Sequence, residues 1–131
     1  MSSSLMTYAN AAAAFAVFPT LVGVVGIFAP RPVLAVAFDV EARKASQDQK
    51  LVDNLMRLFS ARDLFLGGSC FAAWYNGDEQ TLGALLILAA GVVTMDGWVQ
   101  KDQVGCGAWK HWSVVPGLVG IGAGLLGWFP K

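Results

Sequence analysis

Five ionisable residues stand inside or at the edges of long apolar stretches of this sequence. Arg57, Arg62 and Asp63 interrupt one stretch, Asp96 comes near the end of the next, and His111 lies near the start of the last. An ionisable side chain within a membrane span costs at least ~2.5–3.5 kcal/mol on insertion scales, so it normally faces the bundle interior and has a partner. Carboxyl groups in different environments can serve as general acid and general base. These residues are therefore candidates for acid–base chemistry.

We assign Asp63, Asp96, His111 and Arg62 as candidate catalytic residues. Because Arg62 and Asp63 are adjacent, they point about 100° apart around a helix, and we expect each to find a partner on another helix. An Asp63 paired with arginine stays ionised and can act as a base, while a less paired Asp96 can stay protonated and act as an acid. His111, the only histidine, would relay protons or orient an aspartate.

Two other interpretations of these residues stay open. Asp63 and Arg62 also fit a buried ion-pair network that fixes the register of the helices. Asp96 and His111 also fit positions at the membrane edge, where a side chain caps a helix or meets water.

Polar and aromatic residues near the same ends of the helices are the candidate substrate contacts. They are Arg57, Ser60, Trp98, Trp109 and Trp112. Ser60 precedes Asp63 by three residues and so lies on a similar helix face, and Arg57 is placed to snorkel to the interface. Tryptophan beside polar groups suits a lipophilic substrate or a developing cation, although tryptophan also forms the ordinary interfacial belt of membrane proteins.

The composition excludes several classes of protein. Nine basic residues balance nine acidic ones, so no basic surplus is present to bind nucleic acid. A single histidine and two separated cysteines predict neither a metal site nor a cofactor-dependent redox motif. Charged residues make up only 14% and hydrophobic residues 56%, which excludes disorder and differs from a soluble domain with about a quarter charged residues.

Four stretches have the roughly 20-residue length that a membrane-crossing helix needs, at residues 11–29, 55–75, 81–100 and 109–129. Pro30 and Pro32 end the first, and residues 33–52 are expected to form a solvated loop with a short surface-lying turn at 33–38. The brief link at 76–79 makes the second and third helices antiparallel neighbours. The sequence thus predicts one all-α domain over residues 1–131, an integral membrane four-helix bundle with up-down-up-down topology.

Basic residues concentrate in two of the predicted connections. Because positive loops face the cytosol, residues 31–52 and 101–110 are expected there, in the membrane of the endoplasmic reticulum. This orientation places the ionisable residues of three helices in the cytosolic half of the bundle. Glycines of the fourth stretch suit close helix contact in lipid and allow a homo-oligomer; they are Gly117, Gly120, Gly122, Gly124 and Gly127.

The segments MRLFSARDLFLGG, NGDEQTLGALL, MDGWV and KHWSV resemble a family of small four-helix membrane proteins common in fungi, catalogued as domain of unknown function 4267. The resemblance covers about residues 55–129. It is carried by Arg57, Arg62, Asp63, Gly67, Gly77, Asp78, Asp96, Gly97 and His111. It implies a membrane-embedded bundle and, through some relatives, a place in fungal specialised-metabolite pathways. It names no reaction.

Taken together, these features predict a small membrane enzyme that opens an epoxide of a lipophilic polyketide or terpenoid by acid–base catalysis, as a hydrolase or a cyclase. One alternative is a cofactor-free double-bond isomerase or carbocation cyclase. Another is a non-catalytic membrane assembly or binding partner. An ion pathway is least favoured, because the luminal half of the bundle has few polar residues. The expected partners are a lipophilic small molecule and membrane lipids.

Overall fold

The computed structural model of the protein describes residues 7–40 and 47–129. Within these ranges the chain forms helices and no strand, which confirms the all-α prediction. The helices are α1 (Tyr8–Phe28), α2 (Pro30–Phe38), α3 (Gln47–Tyr75), α4 (Glu79–Val104), α5 (Trp109–Trp112) and α6 (Val115–Leu125).

Helix α1 packs along α3 through small residues. It begins after Thr7, whose side-chain oxygen accepts a hydrogen bond from the Asn10 amide at 3.2 Å, as an N-cap does. Gly23 and Gly26 are buried, and a Cβ at either position would overlap atoms of α3. The absence of a side chain at these positions therefore allows the two backbones to approach closely.

The predicted loop at 33–52 is wrong at both of its ends. Residues Pro30–Phe38 form a nine-residue helix, α2, because proline at the first helical position has a suitable φ and needs no hydrogen-bonded N–H. Helix α3 begins at Gln47 rather than at residue 55, with Asp48 in its first turn, where a negative charge favours a helix start. Residues 41–46 of the predicted loop, which include Arg43 and Lys44, lie outside the described residues.

A tight turn joins α3 to α4, as the short 76–79 link predicts. Gly77 adopts a φ of 68°, and the Asp78 carboxylate caps α4 by accepting a hydrogen bond from the Thr81 amide at 3.0 Å. Hydrogen bonding from Thr81 holds the pKa of Asp78 below its ordinary value. The turn makes α3 and α4 antiparallel neighbours.

The predicted single helix at 109–129 is divided into α5 and α6. Pro116 lies in the first turn of α6, and because proline has no N–H it interrupts the helical hydrogen bonds that would connect the two helices. The eleven residues of α6 rise about 16 Å, which is well short of a ~30 Å hydrocarbon core. The stretch that the sequence predicts as a fourth span is therefore not one continuous helix.

Two helices, α1 and α4, are long and apolar enough to cross a membrane. Large apolar side chains on the outer faces of the bundle are exposed, among them Phe18, Phe65 and Leu88 at 74%, 76% and 64%. Exposed apolar surface of this kind suits contact with lipid or with another protein. These features support membrane association, while the four-span arrangement stays a prediction.

Candidate functional site

One arginine lies at the centre of the candidate site. The Nη1 and Nη2 atoms of Arg62 donate to the two carboxylate oxygens of Asp96 at 3.0 and 2.9 Å. The Nε and Nη2 atoms of Arg62 donate to Oδ1 of Asp63 at 3.3 and 3.1 Å. We call these three residues the Arg62 cluster. Four of the five guanidinium N–H donors are thus engaged by two carboxylates.

This geometry corrects two expectations about the aspartates. Asp63 was expected to pair with another helix, yet its ion-pair partner is the adjacent Arg62, because the long arginine side chain bends toward its neighbour and still reaches α4. Asp96 was expected to be the less paired carboxylate, yet it accepts the shorter, two-pronged contact. Asp63 receives both of its arginine bonds on Oδ1, so Arg62 leaves Oδ2 of Asp63 without a hydrogen bond.

The antiparallel packing of α3 and α4 positions the Arg62 cluster. The side chains of Asp63 and Asp96 are only 14% and 11% exposed, whereas that of Arg62 is 37% exposed. The guanidinium therefore covers the carboxylates from one side and faces the surroundings on the other. One positive and two negative groups leave a net charge of −1 when all are ionised, so this group of residues is suited to holding one additional proton.

A row of aromatic rings links the Arg62 cluster to His111. The guanidinium carbon of Arg62 lies 4.1 Å from the centre of the Phe59 ring, in cation–π contact. Phe59 packs edge-on against Phe38 of α2, with ring centres 5.0 Å apart, and Phe38 lies 5.3 Å from the imidazole of His111. The unpredicted helix α2 thus supplies one wall of the site.

The hydrogen bond of His111 is to the backbone rather than to an aspartate. Its Nε2 lies 3.1 Å from the carbonyl oxygen of Ala37, so the proton of a neutral ring sits on Nε2 when this bond forms. The imidazole is linked to Arg62 through the rings of Phe38 and Phe59. The structure therefore brings His111 near the Arg62 cluster, with Phe38 beside it, but the contact that would orient an aspartate directly is replaced by the one to Ala37.

Two predicted substrate contacts lie away from the Arg62 cluster. Ser60 is fully buried against Gly26 of α1, so it presents no surface to a substrate. Arg57 donates from Nε to the Ile27 carbonyl at 3.3 Å and from Nη1 to Asn54 at 3.0 Å. Ser60 and Asp63 were expected on a similar face of one helix, but the position of Ser60 is covered by α1.

Two of the three predicted tryptophans share a cavity. Trp98 and Trp112 line an open cavity of about 400 Å³ together with Lys101 and Asp102. The indole N–H of Trp112 donates to the Thr94 carbonyl at 3.1 Å, and Gly97 provides the space for its ring, which a Cβ at that position would overlap. Trp109 is 69% exposed and does not line this cavity.

A second polar group went unnoticed in the sequence. Asp39 accepts hydrogen bonds from Gln100 at 2.7 Å and from Lys110 at 2.6 Å. Gln100 is fully buried and lies one helical turn after Asp96, on the same side of α4. The four-residue spacing of Asp96 and Gln100 was an available signal. No sequence signal connected either residue with Asp39, which ends α2 with a φ of 55°.

The Arg62 guanidinium lies between the carboxylates of Asp63 and Asp96 and pairs with both. Within residues 7–40 and 47–129, no three His, Cys, Asp or Glu side chains are grouped closely enough to hold a metal ion. Chemically, the Arg62 cluster offers a fixed positive charge and, on Asp63, a carboxylate oxygen that Arg62 does not engage.

Comparison with known proteins places the chain by sequence. No curated protein matches it, and no solved structure matches it. The family described as Domain of unknown function (DUF4267) matches residues 16–125, a range that contains the Arg62 cluster, the aromatic row and His111. Since this match covers most of the chain, the protein belongs to the DUF4267 family.

Proposed function

We propose that the protein is a small integral membrane enzyme that opens an epoxide on a lipophilic polyketide or terpenoid. The observation that carries this proposal is the Arg62 guanidinium held between two carboxylates, one of which, Asp63, has an oxygen that Arg62 does not engage. The nucleophile is water, which gives a diol, or a hydroxyl group of the substrate, which gives a cyclic ether.

The reaction needs one proton acceptor and one anion stabiliser. Oδ2 of Asp63 accepts the proton of the attacking water or hydroxyl group. At the same time the oxygen atom of that nucleophile forms a bond to an epoxide carbon, and the bond between this carbon and the epoxide oxygen breaks. The negative charge that develops on the released oxygen is stabilised by the positive charge of Arg62. Protonated Asp63 then returns the proton to that oxygen. The proton balance closes, and no oxidant or reductant is consumed.

Asp96 and the aromatic row act as positioning groups in this proposal. The two short bonds from Arg62 to Asp96 fix the guanidinium plane, so that it need not reorganise as charge develops. Phe59 packs against a face of the same guanidinium group. The exposed side of Arg62 then provides the contact surface for a lipophilic substrate, whereas the cavity lined by Trp98 and Trp112 has no residue of the Arg62 cluster in its wall.

The membrane setting of the proposal is supported by α1 and α4, which are long and apolar enough to span, and by the exposed apolar side chains. We place the protein in the endoplasmic reticulum, with residues 31–52 and 101–110 on the cytosolic side and a role in fungal specialised metabolism.

A second candidate function is favoured by one specific observation. Because Arg62 occupies the space between its two carboxylates, the Arg62 cluster also has the form of an ionic clamp between α3 and α4. Such a clamp would suit a non-catalytic assembly or binding partner, in which the buried charges fix helix register.

The deciding experiment uses the purified protein and lipophilic epoxides that carry an internal hydroxyl group. We expect Asp63→Asn to lower turnover by about 100-fold or more, which is the usual contribution of a general base. The far-ultraviolet circular dichroism spectrum, which reports the helix content, should stay unchanged. Asp48→Asn, which removes an exposed carboxylate at the start of α3, is the matched control and should retain activity. Full activity in Asp63→Asn would end the catalytic proposal. If the wild-type protein leaves the epoxides unchanged and another enzyme co-purifies with it, the ionic clamp is favoured.

A further inference from the structure

Where α1 ends and α2 begins, the chain forms a small notch against α3. Its walls carry three charged side chains, Arg31, Asp53 and Arg57, beside the apolar Phe28, Pro30 and Pro32. We call it the two-arginine notch. It holds about 260 Å³, which is below the ~300–1,000 Å³ of pockets for drug-sized ligands, so it suits a compact polar group rather than a whole polyketide.

Arg31 is held in place by a relay of side chains. Gln49 donates to Oδ1 of Asp53 at 2.9 Å, and Asp53 accepts from Nε and Nη2 of Arg31 at 3.3 and 3.1 Å. The hydrogen bonds from Arg31 and then from Gln49 hold the pKa of Asp53 below its ordinary value, so its carboxylate is ionised. This contact occupies one edge of the Arg31 guanidinium and leaves Nη1 without a hydrogen bond among the described residues.

Arg57 is fixed differently and brings a second set of donors. Its Nε caps the Ile27 carbonyl near the end of α1, where carbonyls lack helical partners, and its Nη1 is bound by Asn54. Nη2 of Arg57 makes no hydrogen bond within the described part of the chain. The notch therefore has two guanidinium groups, one carboxylate and a net charge of +1.

We propose that the two-arginine notch binds a phosphate group. Guanidinium is planar and presents parallel N–H donors that match two phosphate oxygens, and both arginines in the notch keep such donors available. The notch lies at the end of α1, a helix able to span a membrane, next to the 83% exposed ring of Phe28. A phosphate of an anionic lipid headgroup and a free phosphate ester share this chemistry. The site is separate from the Arg62 cluster and does not depend on catalysis there.

The test uses the full chain in nanodiscs. One set contains phosphatidylcholine alone, and the other adds phosphatidic acid, whose phosphate is the probe; native mass spectrometry counts the lipid that each protein retains. The wild type should retain phosphatidic acid over phosphatidylcholine. R31Q/R57Q should retain about tenfold less, as expected when one or two charge-assisted hydrogen bonds are lost. K50Q/K101Q removes two exposed charges outside the notch and should retain as much as the wild type.

Two further arms separate the remaining possibilities. R31K/R57K preserves charge but not the planar donors, and it should also lose retention. Phosphorus NMR of the detergent-solubilised wild type with inorganic phosphate shows whether a free anion binds; binding there without lipid retention assigns the notch to free phosphate esters. The proposal is overturned if the wild type shows no preference in either arm, or if R31Q/R57Q or R31K/R57K binds as well as the wild type. The wild-type comparison between lipids needs no variant to fold.

Discussion

Replacing Asp96 by asparagine probes the strongest contact of the Arg62 cluster. The substitution preserves size but removes the charge, and it replaces one acceptor oxygen by an NH₂ group that faces an N–H donor of Arg62. Two charge-assisted bonds, at 2.9 and 3.0 Å, are lost or weakened. Asp63→Asn is the matched comparison, because it removes the same charge from a carboxylate bound more weakly, at 3.1 and 3.3 Å on one oxygen.

The expected magnitudes follow from burial and bond geometry. A hydrogen bond to a charged group contributes about 1.5–3 kcal/mol when buried. Arg62 is 37% exposed, so solvation recovers part of the loss, and we expect Asp96→Asn to lower the free energy of unfolding by about 2 kcal/mol. For a chain of this size that corresponds to a fall in Tm of roughly 5–10 °C. Asp63→Asn should cost about 1 kcal/mol or less, because its bonds are longer and Arg62 keeps Asp96.

Thermal unfolding in one detergent, followed by circular dichroism, measures both variants. R62Q and the double variant R62Q/D96N complete a double-mutant cycle, whose coupling energy should be about 1–2 kcal/mol. If Asp63→Asn proves more destabilising than Asp96→Asn, or if the effects of R62Q and Asp96→Asn are additive, the assignment of Asp96 as the principal partner of Arg62 is refuted.

The other predictions concern helix packing and capping. Gly26→Ala should lower the free energy of unfolding by about 2 kcal/mol, because its Cβ would overlap Ser60 across the α1–α3 contact. Gly91→Ala is the control: its Cβ meets open space within α4, so this substitution should be neutral or stabilising. Equal melting curves for the two variants would contradict the packing argument. The lowered pKa of Asp78 means that its contribution to stability is complete above its ordinary value of 3.8 and is lost as the pH falls through the folded-state value. Asp78→Ala should therefore lower Tm at neutral pH and make the decrease of Tm at acidic pH less steep. If Tm falls at acidic pH as steeply in the variant as in the wild type, Asp78 does not stabilise α4 as its N-cap.

The helices that the sequence predicts well are those defined by long apolar runs. The predicted stretch 11–29 corresponds to α1 at Tyr8–Phe28, and 81–100 lies within α4 at Glu79–Val104. Proline caused both main errors of element assignment, in opposite senses. Pro30 starts α2, where the sequence predicts a loop with a short surface-lying turn at 33–38, whereas Pro116 divides a stretch that was expected to be one helix.

The convergence of Arg62, Asp63 and Asp96 was predictable because a short turn fixes the two helices as antiparallel neighbours. The pairing within the Arg62 cluster was not, since it depends on how a flexible arginine side chain divides its donors between two carboxylates. The hydrogen bond between Gln100 and Asp39 joins residues 61 positions apart. Asp39 itself ends α2 in the left-handed conformation. Because the sequence predicts no helix at 30–38, it does not bring Asp39 next to Gln100.

Asp63, the second carboxylate of the Arg62 cluster, distinguishes an ionic clamp from a proton-transfer site. A clamp between α3 and α4 needs only Arg62 and Asp96, which already form the two-pronged contact. Asp63 adds a second negative charge to the same guanidinium through longer bonds to one oxygen, which contributes little attraction and brings two carboxylates close together. A group that contributes little stability and leaves an oxygen unengaged by Arg62 is expected where function rather than packing sets the arrangement. The two interpretations then differ in one variant: in Asp63→Asn a catalyst loses turnover while its Tm changes little, whereas in a clamp any loss of function follows the loss of stability.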